Sequence, residues 1–317
     1  MMNPLLPLFD PEDDDSTPAD KWNEETAKRS LDELFHNARY YHTGKDYSEL
    51  IKFVSRFRFY APYNAMLLHI QMPGAQFVAP AIRWKSLYKR FIKVGARPLV
   101  ILQPMGPVMF VFDVSDTEPG PEAEPLPKYV ENPFEGLSGK VGYEYDRTIE
   151  NAKRDGIKIT LSKEGSQSGG SIRIHNHQSS ESLKFLIGKN KTGEEIWSLL
   201  PVRYEMLVNQ TMNREAQYAT IAHELGHLYC GHIGTPNEKW WPNRKGMDLC
   251  AREFEAESVA YLVCARLGLE IPSDSYLSGY LRKNEEKIPP ISLDCILKAA
   301  GLIEAMGKKR MKLRKEK

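Results

Sequence analysis

One stretch, His223-Glu224-Leu225-Gly226-His227, constrains this chain more than any other. It lies in a run from Arg214 to Cys230 that reads as a helix, where positions four apart share a face. His223 and His227 can then present two imidazoles to one point, with Glu224 projecting from the adjacent edge. Two nitrogen donors beside a carboxylate able to take a proton from water form the donor layout of a hydrolytic zinc site. The bland alternative is a chance match to a short pattern with two free positions. Gly226 argues against chance. A mid-helix glycine costs about 1 kcal/mol against alanine, and a close-packed or metal-lined site would explain it.

A catalytic zinc needs a third protein ligand and an open position. His232 follows closely, but Tyr229-Cys230-Gly231-His232 breaks the spacing of a three-histidine site. A second helical run, about Leu249 to Leu267, carries Glu253, Glu255 and Glu257 among Ala, Val, Tyr, Leu and Cys. Exposed glutamates are common on helices, but this clustering in apolar surroundings argues for a polar site cut into a buried helix. Glu253 and Glu257 share a face. We expect Glu253 as ligand and Glu257 hydrogen-bonded behind a ligating histidine; Glu255 is the next candidate ligand. Tyr218, Tyr229 and His175 are candidate oxyanion-stabilising groups.

The 317 residues suggest two domains. The net charge of +1 hides a segregated distribution, with six acids and no Lys or Arg in residues 1–20. Residues 45–98 hold ten Lys/Arg against Asp46 and Glu49, and Lys308–Lys317 hold seven bases and one acid. Residues 1–20 read as a disordered acidic tail, 21–118 as one domain, 119–136 as an extended Pro-rich linker, 137–306 as a second domain, and 307–317 as a disordered basic tail. No apolar run of about 18 residues occurs, so no membrane span is expected, and the N-terminus lacks the pattern of a secretory signal. The four cysteines show no CxxC spacing. Buried free thiols in a reducing cytoplasm are the simplest account.

In the first domain, one apolar helical stripe is Leu31, Leu34, Phe35 and Ala38, and a second is Leu50, Phe53, Val54 and Phe57. A short helix covers Ala65–Met72. Pro98–Leu102 and Val108–Val114 form a hairpin about Gly106 and Pro107. Bases and aromatics interleave here: Arg56, Arg58, Tyr60, Tyr63, Arg83, Trp84, Lys85, Tyr88, Lys89, Arg90, Lys93 and Arg97. Cations for phosphates and flat rings for unpaired bases suit single-stranded nucleic acid. A solvated basic face over an aromatic core has the same composition. In the second domain, Tyr145–Asp155 reads as a helix, with Ile157–Leu161 and Ser171–Ile174 as strands. Residues 176–200 carry no clear period. Arg203–Asn209 alternates like an edge strand, where a peptide substrate could add by main-chain pairing.

Several of these stretches together resemble ArdC-like antirestriction proteins, more distantly related to the ImmA/IrrE metallopeptidases. In the C-terminal half the resemblance rests on Tyr218–His227, Arg252–Glu257, Ala260, Leu262–Ala265 and Ser275–Leu281. In the N-terminal half it rests on Tyr63-Asn64, Gln71–Ala75, Trp84-Lys85, Lys93–Gly95, Val111–Ser115 and Thr117. It implies an α+β protein: an N-terminal helical/β-hairpin domain that binds single-stranded DNA, and a C-terminal zincin-like metallopeptidase domain. It further implies a cytoplasmic protein linked to mobile elements, with Zn2+ as cofactor and single-stranded DNA and a protein or peptide as partners. In this chain the metal set would be His223, His227 and Glu253, with Glu224 as catalytic base and Glu257 behind a ligand. The candidate DNA contacts would be Arg56, Arg58, Tyr63, Asn64, Trp84, Lys85, Lys89, Arg90 and Lys93.

Overall fold

The computed structural model describes residues 43–103, 106–123, 125–131, 137–163, 169–175, 181–190, 192–269 and 287–315. The acidic tail, the Leu31–Ala38 stripe and Ser275–Leu281 fall outside them. The chain is α+β and divides into two compact units, residues 1–135 and 136–317.

In the first unit, α1 (Gly44–Arg56) is capped by Thr43, whose hydroxyl oxygen accepts the Asp46 N–H. Its apolar stripe of Leu50, Phe53 and Val54 is buried, as is Phe57 just beyond it. α2 (Pro62–Gln71) starts on a proline, whose missing N–H costs a first turn nothing. β1 (Val78–Ala79), α3 (Ala81–Tyr88), β2 (Arg90–Ile92), β3 (Leu99–Gln103) and β4 (Gly106–Asp113) follow. The expected hairpin is present as antiparallel β3 and β4, with Gln103 opposite Gly106. β1 completes the sheet on the other side of β4.

The Pro-rich stretch differs from an extended tether. Its first residue, Pro119, ends β5 (Thr117–Pro119), which pairs with β2. Farther on, short α4 (Lys128–Glu131) brings Val130 onto the core cluster of Phe77, Trp84 and Phe112, and Leu126 packs there too. Val130 and Leu126 are apolar residues that the prolines obscured.

In the second unit, α5 (Tyr143–Lys153) leads into β6 (Ile157–Ser162), β7 (Gly170–Ile174), β8 (Ser182–Lys189), β9 (Glu195–Pro201) and β10 (Tyr204–Asn209). β8 and β9 form a separate hairpin across the stretch without a clear period. β10 is the middle strand of its sheet, parallel to β6 and antiparallel to β7, and not an edge strand. Its alternation reflects buried Tyr204, Met206 and Val208 on one face. β6 and β7 are the edges instead.

Among the described residues, three helices complete the unit: α6 (Arg214–Tyr229), α7 (Leu249–Arg266) and α8 (Leu293–Lys308). The basic tail is ordered through Lys315 and packs on its own unit. Asn151 donates to Lys309 O and accepts the Met311 N–H; Arg314 donates from its main chain to Arg154 O and from Nε to buried Asp155. Arg314 also lies over the Trp240 and Trp241 rings. The charge run hid these specific partners. No helix among the described residues is long and apolar enough to cross a membrane.

Candidate metal centre

Two helices build the site. α6 is capped by Asn213, which accepts the Ala216 N–H, and α7 by Asp248, which accepts the N–H groups of Cys250 and Ala251. They pack closely because α6 carries Gly226 at the contact. A Cβ there would lie 3.2 Å from both Cα and O of Ala256 and 3.2 Å from Cβ of Val259. That approach sets His223 and His227 on α6 opposite Glu253 and Glu257 on α7.

Donor atoms of His223, His227 and Glu253 lie within 4.8 Å of one another, a group able to hold a metal ion. The two Nε2 atoms are 3.1 Å apart, and each is 3.5 Å from a different Glu253 carboxylate oxygen, His223 from Oε2 and His227 from Oε1. A tetrahedral ion with bonds of about 2.0–2.1 Å spans ligand–ligand edges of about 3.3 Å, close to each of these separations. Its electrostatics also favour a cation. Burial opposes charging His223, but the carboxylates of Glu253 and Glu257 outweigh it and push its pKa up to about 10. Hydrogen bonds from His223 and His227 hold Glu253 well below the usual carboxylate range. Two imidazole nitrogens this close need a hydrogen-bonding proton or an ion between them.

Each histidine is held from behind. His223 Nδ1 is 2.9 Å from Glu257 Oε2. His227 Nδ1 is 2.9 Å from His232 Nδ1, and His232 Nε2 is 2.9 Å from Glu255 Oε2. Glu255 is not a third ligand. It is fully buried behind His232, with Arg244 on both of its oxygens at 2.6 and 2.7 Å. His232 is likewise no member of the triangle. The sequence offered one signal for this arrangement: at 100° per residue Glu255 points about 200° away from Glu253, into the apolar side, where a carboxylate needs partners.

Glu224 is buried beside the triangle. Burial is the main force pushing its pKa up to about 7; Glu253 adds to the rise, while His223 and the Ile172 main-chain N–H oppose it. Ile172 lies on edge strand β7, so that strand runs past the Glu224 carboxylate. Two oxyanion candidates are elsewhere. Tyr218 is 1% exposed in the core, and buried Tyr229 donates its hydroxyl to Asp155 at 2.8 Å. His175 is buried at the end of β7, with Nδ1 2.7 Å from Glu205.

The candidate DNA residues divide. Trp84 is 0% exposed and its indole N–H donates to Phe112 O, so it is core and not a stacking platform. Asn64 is buried and pairs both ways with the main chain of Leu102. Arg56 donates to Ala75 O and lies over Phe53 and Phe57; Arg58 lies over Phe59. Tyr63 is half-buried. Arg90 donates to the hydroxyl and carbonyl of Thr117, and Lys93 to Ser115 O. Lys85 and Lys89 are exposed and line an open cleft of about 480 Å3 with Ile82, Phe91 and Pro121. Phe91, 46% exposed, is the accessible ring that the sequence reading missed.

Comparison with protein-family models, curated proteins and solved structures finds no match for this chain.

Proposed function

We propose that the C-terminal unit is a zinc-dependent endopeptidase and that the N-terminal unit binds single-stranded DNA, the combination implied by the resemblance to ArdC-like antirestriction proteins. The observation that carries the peptidase reading is the His223–His227–Glu253 group, with Nε2 atoms 3.1 Å apart and each 3.5 Å from one of the two Glu253 oxygens, beside a buried carboxylate. Two imidazoles and one carboxylate suit zinc, leaving a fourth position for water or substrate. When bound, zinc supplies Lewis-acid polarisation and makes water more acidic.

The protein residues do the rest. Glu224, with a pKa raised toward neutrality, takes the proton of the attacking water and passes it to the leaving amine. Glu257 and His232 hold the two imidazoles in orientation. The edge of β7 offers main-chain groups to an extended peptide beside Glu224. In the N-terminal unit, Lys85 and Lys89 meet phosphates while Phe91 stacks on a base.

A second reading makes the metal structural and DNA coating the operative activity; the Lys85–Lys89–Phe91 cleft favours it because it needs no chemistry from the C-terminal unit. Glu224→Gln separates the two. Under the peptidase reading it abolishes cleavage of a peptide library and keeps stoichiometric zinc and single-stranded DNA binding. Full DNA protection by this variant would make coating the function.

A further inference from the structure

The cleft of the N-terminal unit holds a carboxylate that phosphate binding does not explain. Its lining combines Lys85 and Lys89 with apolar Ile82, Phe91 and Pro121, and adds exposed Glu122. Two lysines and an accessible ring suit a strand whose phosphates and bases both need partners. A glutamate at the same cleft repels phosphates. Among the described residues, no ion pair or hydrogen bond engages the Glu122 side chain, so its acceptor oxygens are available to whatever enters.

The backbone around the cleft is specialised. Lys89 closes α3 at φ +51° and is the one non-glycine residue at positive φ among the described residues. A side chain is disfavoured in that conformation, and glycine is the usual residue at such a helix end. Here the position carries a lysine that lines the cleft. The Lys89 carbonyl accepts the Gly120 N–H at 2.9 Å, which ties the segment after β5 to the end of α3. Gly120 has no room for a side chain: a Cβ would lie 2.6 Å from Phe91 Cε2 and 2.8 Å from Lys89 O. The edge of the Phe91 ring is therefore seated on the Gly120 main chain, which runs on into Pro121 and Glu122. The cleft volume of about 480 Å3 falls within the roughly 300–1,000 Å3 of sites for one small molecule, which is room for one nucleotide unit.

We propose that this cleft takes one unstacked nucleotide of a single strand and selects a base that carries an exocyclic amino group, with Glu122 accepting its N–H. This rests on reading the N-terminal unit as a single-stranded DNA binder and adds a base preference to it. Lys85 and Lys89 meet the flanking phosphates, Phe91 stacks on the base, and Glu122 meets the base edge. At neutral pH an exposed carboxylate only accepts hydrogen bonds. Cytosine offers it the 4-amino group, and adenine and guanine have amino groups of their own. Uracil and thymine put a carbonyl oxygen where cytosine has the amino group, and that oxygen repels a carboxylate. In a duplex, stacking covers the ring face that Phe91 needs.

Fluorescence anisotropy on the full-length chain tests this, with labelled oligo-dC and oligo-dU of equal length at one salt concentration near neutral pH. The two bases match in size and differ on the edge that Glu122 would read. Wild type should bind oligo-dC about tenfold more tightly, the low end for a hydrogen bond to a charged group because Glu122 is exposed. Glu122→Ala should lose that preference. Glu118→Ala is the charge control: Glu118 is exposed opposite Phe91 in the β2–β5 pair and does not line the cleft. It should shift both affinities alike and keep the preference. Lys89→Gly should melt no lower than wild type and bind both strands more weakly. Equal binding of dC and dU by wild type, a preference that survives Glu122→Ala, or one lost equally in Glu118→Ala would overturn the base reading while leaving single-strand binding in place. Wild-type affinity in Lys89→Gly would overturn the site. Free dCMP competing as well as the strand would make the ligand a free nucleotide, against the proposal. If wild type binds neither strand, the DNA reading itself fails and the base preference falls with it.

Discussion

Gly226→Ala is a small change with opposing consequences. Alanine gains about 1 kcal/mol of helix propensity. The new methyl would sit 3.2 Å from the Ala256 main chain and 3.2 Å from Cβ of Val259, none of which can rotate aside, so α7 must give by a few tenths of an ångström. Forcing a methyl into a close-packed contact costs about 1–3 kcal/mol. The net effect on the metal-free protein is therefore between no change and a loss of about 2 kcal/mol. The metal should feel it more. The 3.1 Å edge of the triangle lies within α6, but both 3.5 Å edges cross from α6 to α7. Thermal unfolding with excess zinc and with chelator measures both quantities, since a ligand of the native state raises stability by RT ln(1 + [L]/Kd). The gap between the two melts should shrink in Gly226→Ala. A variant that gains the full helix-propensity increment and keeps the wild-type gap would refute the close-packing argument.

Arg314→Ala removes a partner of buried Asp155 and a cation over two tryptophans. The loss should be near the lower end of the roughly 3–5 kcal/mol for breaking a buried pair, because Arg314 is partly exposed. Burial raises the Asp155 pKa despite Arg314. A raised carboxyl favours folding below its unfolded value, and that contribution is lost as pH rises through its folded value. The destabilisation by Arg314→Ala, followed by denaturant unfolding, should therefore be larger at neutral pH than in the ordinary carboxylate range; a pH-independent loss would contradict this. Trp84→Phe should lower the melting temperature and leave single-stranded DNA affinity unchanged in the folded protein. Phe91→Ala should leave stability intact and cost about 1–3 kcal/mol of binding by fluorescence anisotropy; the reverse pattern would restore Trp84 as the stacking ring.

What the sequence made legible follows from how local each feature is. His223, Glu224 and His227 lie on one helix, and so do Glu253 and Glu257, so spacing alone sets their faces. The central place of β10 was not legible, because one buried face produces the same alternation at an edge or in the middle of a sheet. The β8–β9 hairpin was obscured because its outer face carries exposed Leu186, Trp197 and Leu199 opposite buried Phe185 and Leu200. In the N-terminal unit, Trp84 and Phe91 both stand among lysines, and composition cannot tell which ring is turned inward. Several residues that carry the family resemblance there are ties within the fold. Asn64 and Gln71 pair with the β3 main chain, and Asp113 accepts the N–H groups of Gln76, Phe77 and Ser115.

The three glutamates of α7 show how far a periodicity argument reaches. Glu253 and Glu257 face α6 and act on the histidines directly, one in the triangle and one behind His223. Glu255 points into the apolar side, where an unpaired carboxylate would be costly. Helical geometry predicts that inward direction but not the partners, because His232 and Arg244 come from a loop with no period. Once the loop supplies them, the inward glutamate reaches the same centre from the other side, through His232 to His227. The aperiodic loop thus completes a site that the two helices begin, and substitutions at His232 or Arg244 should act on the metal without touching it.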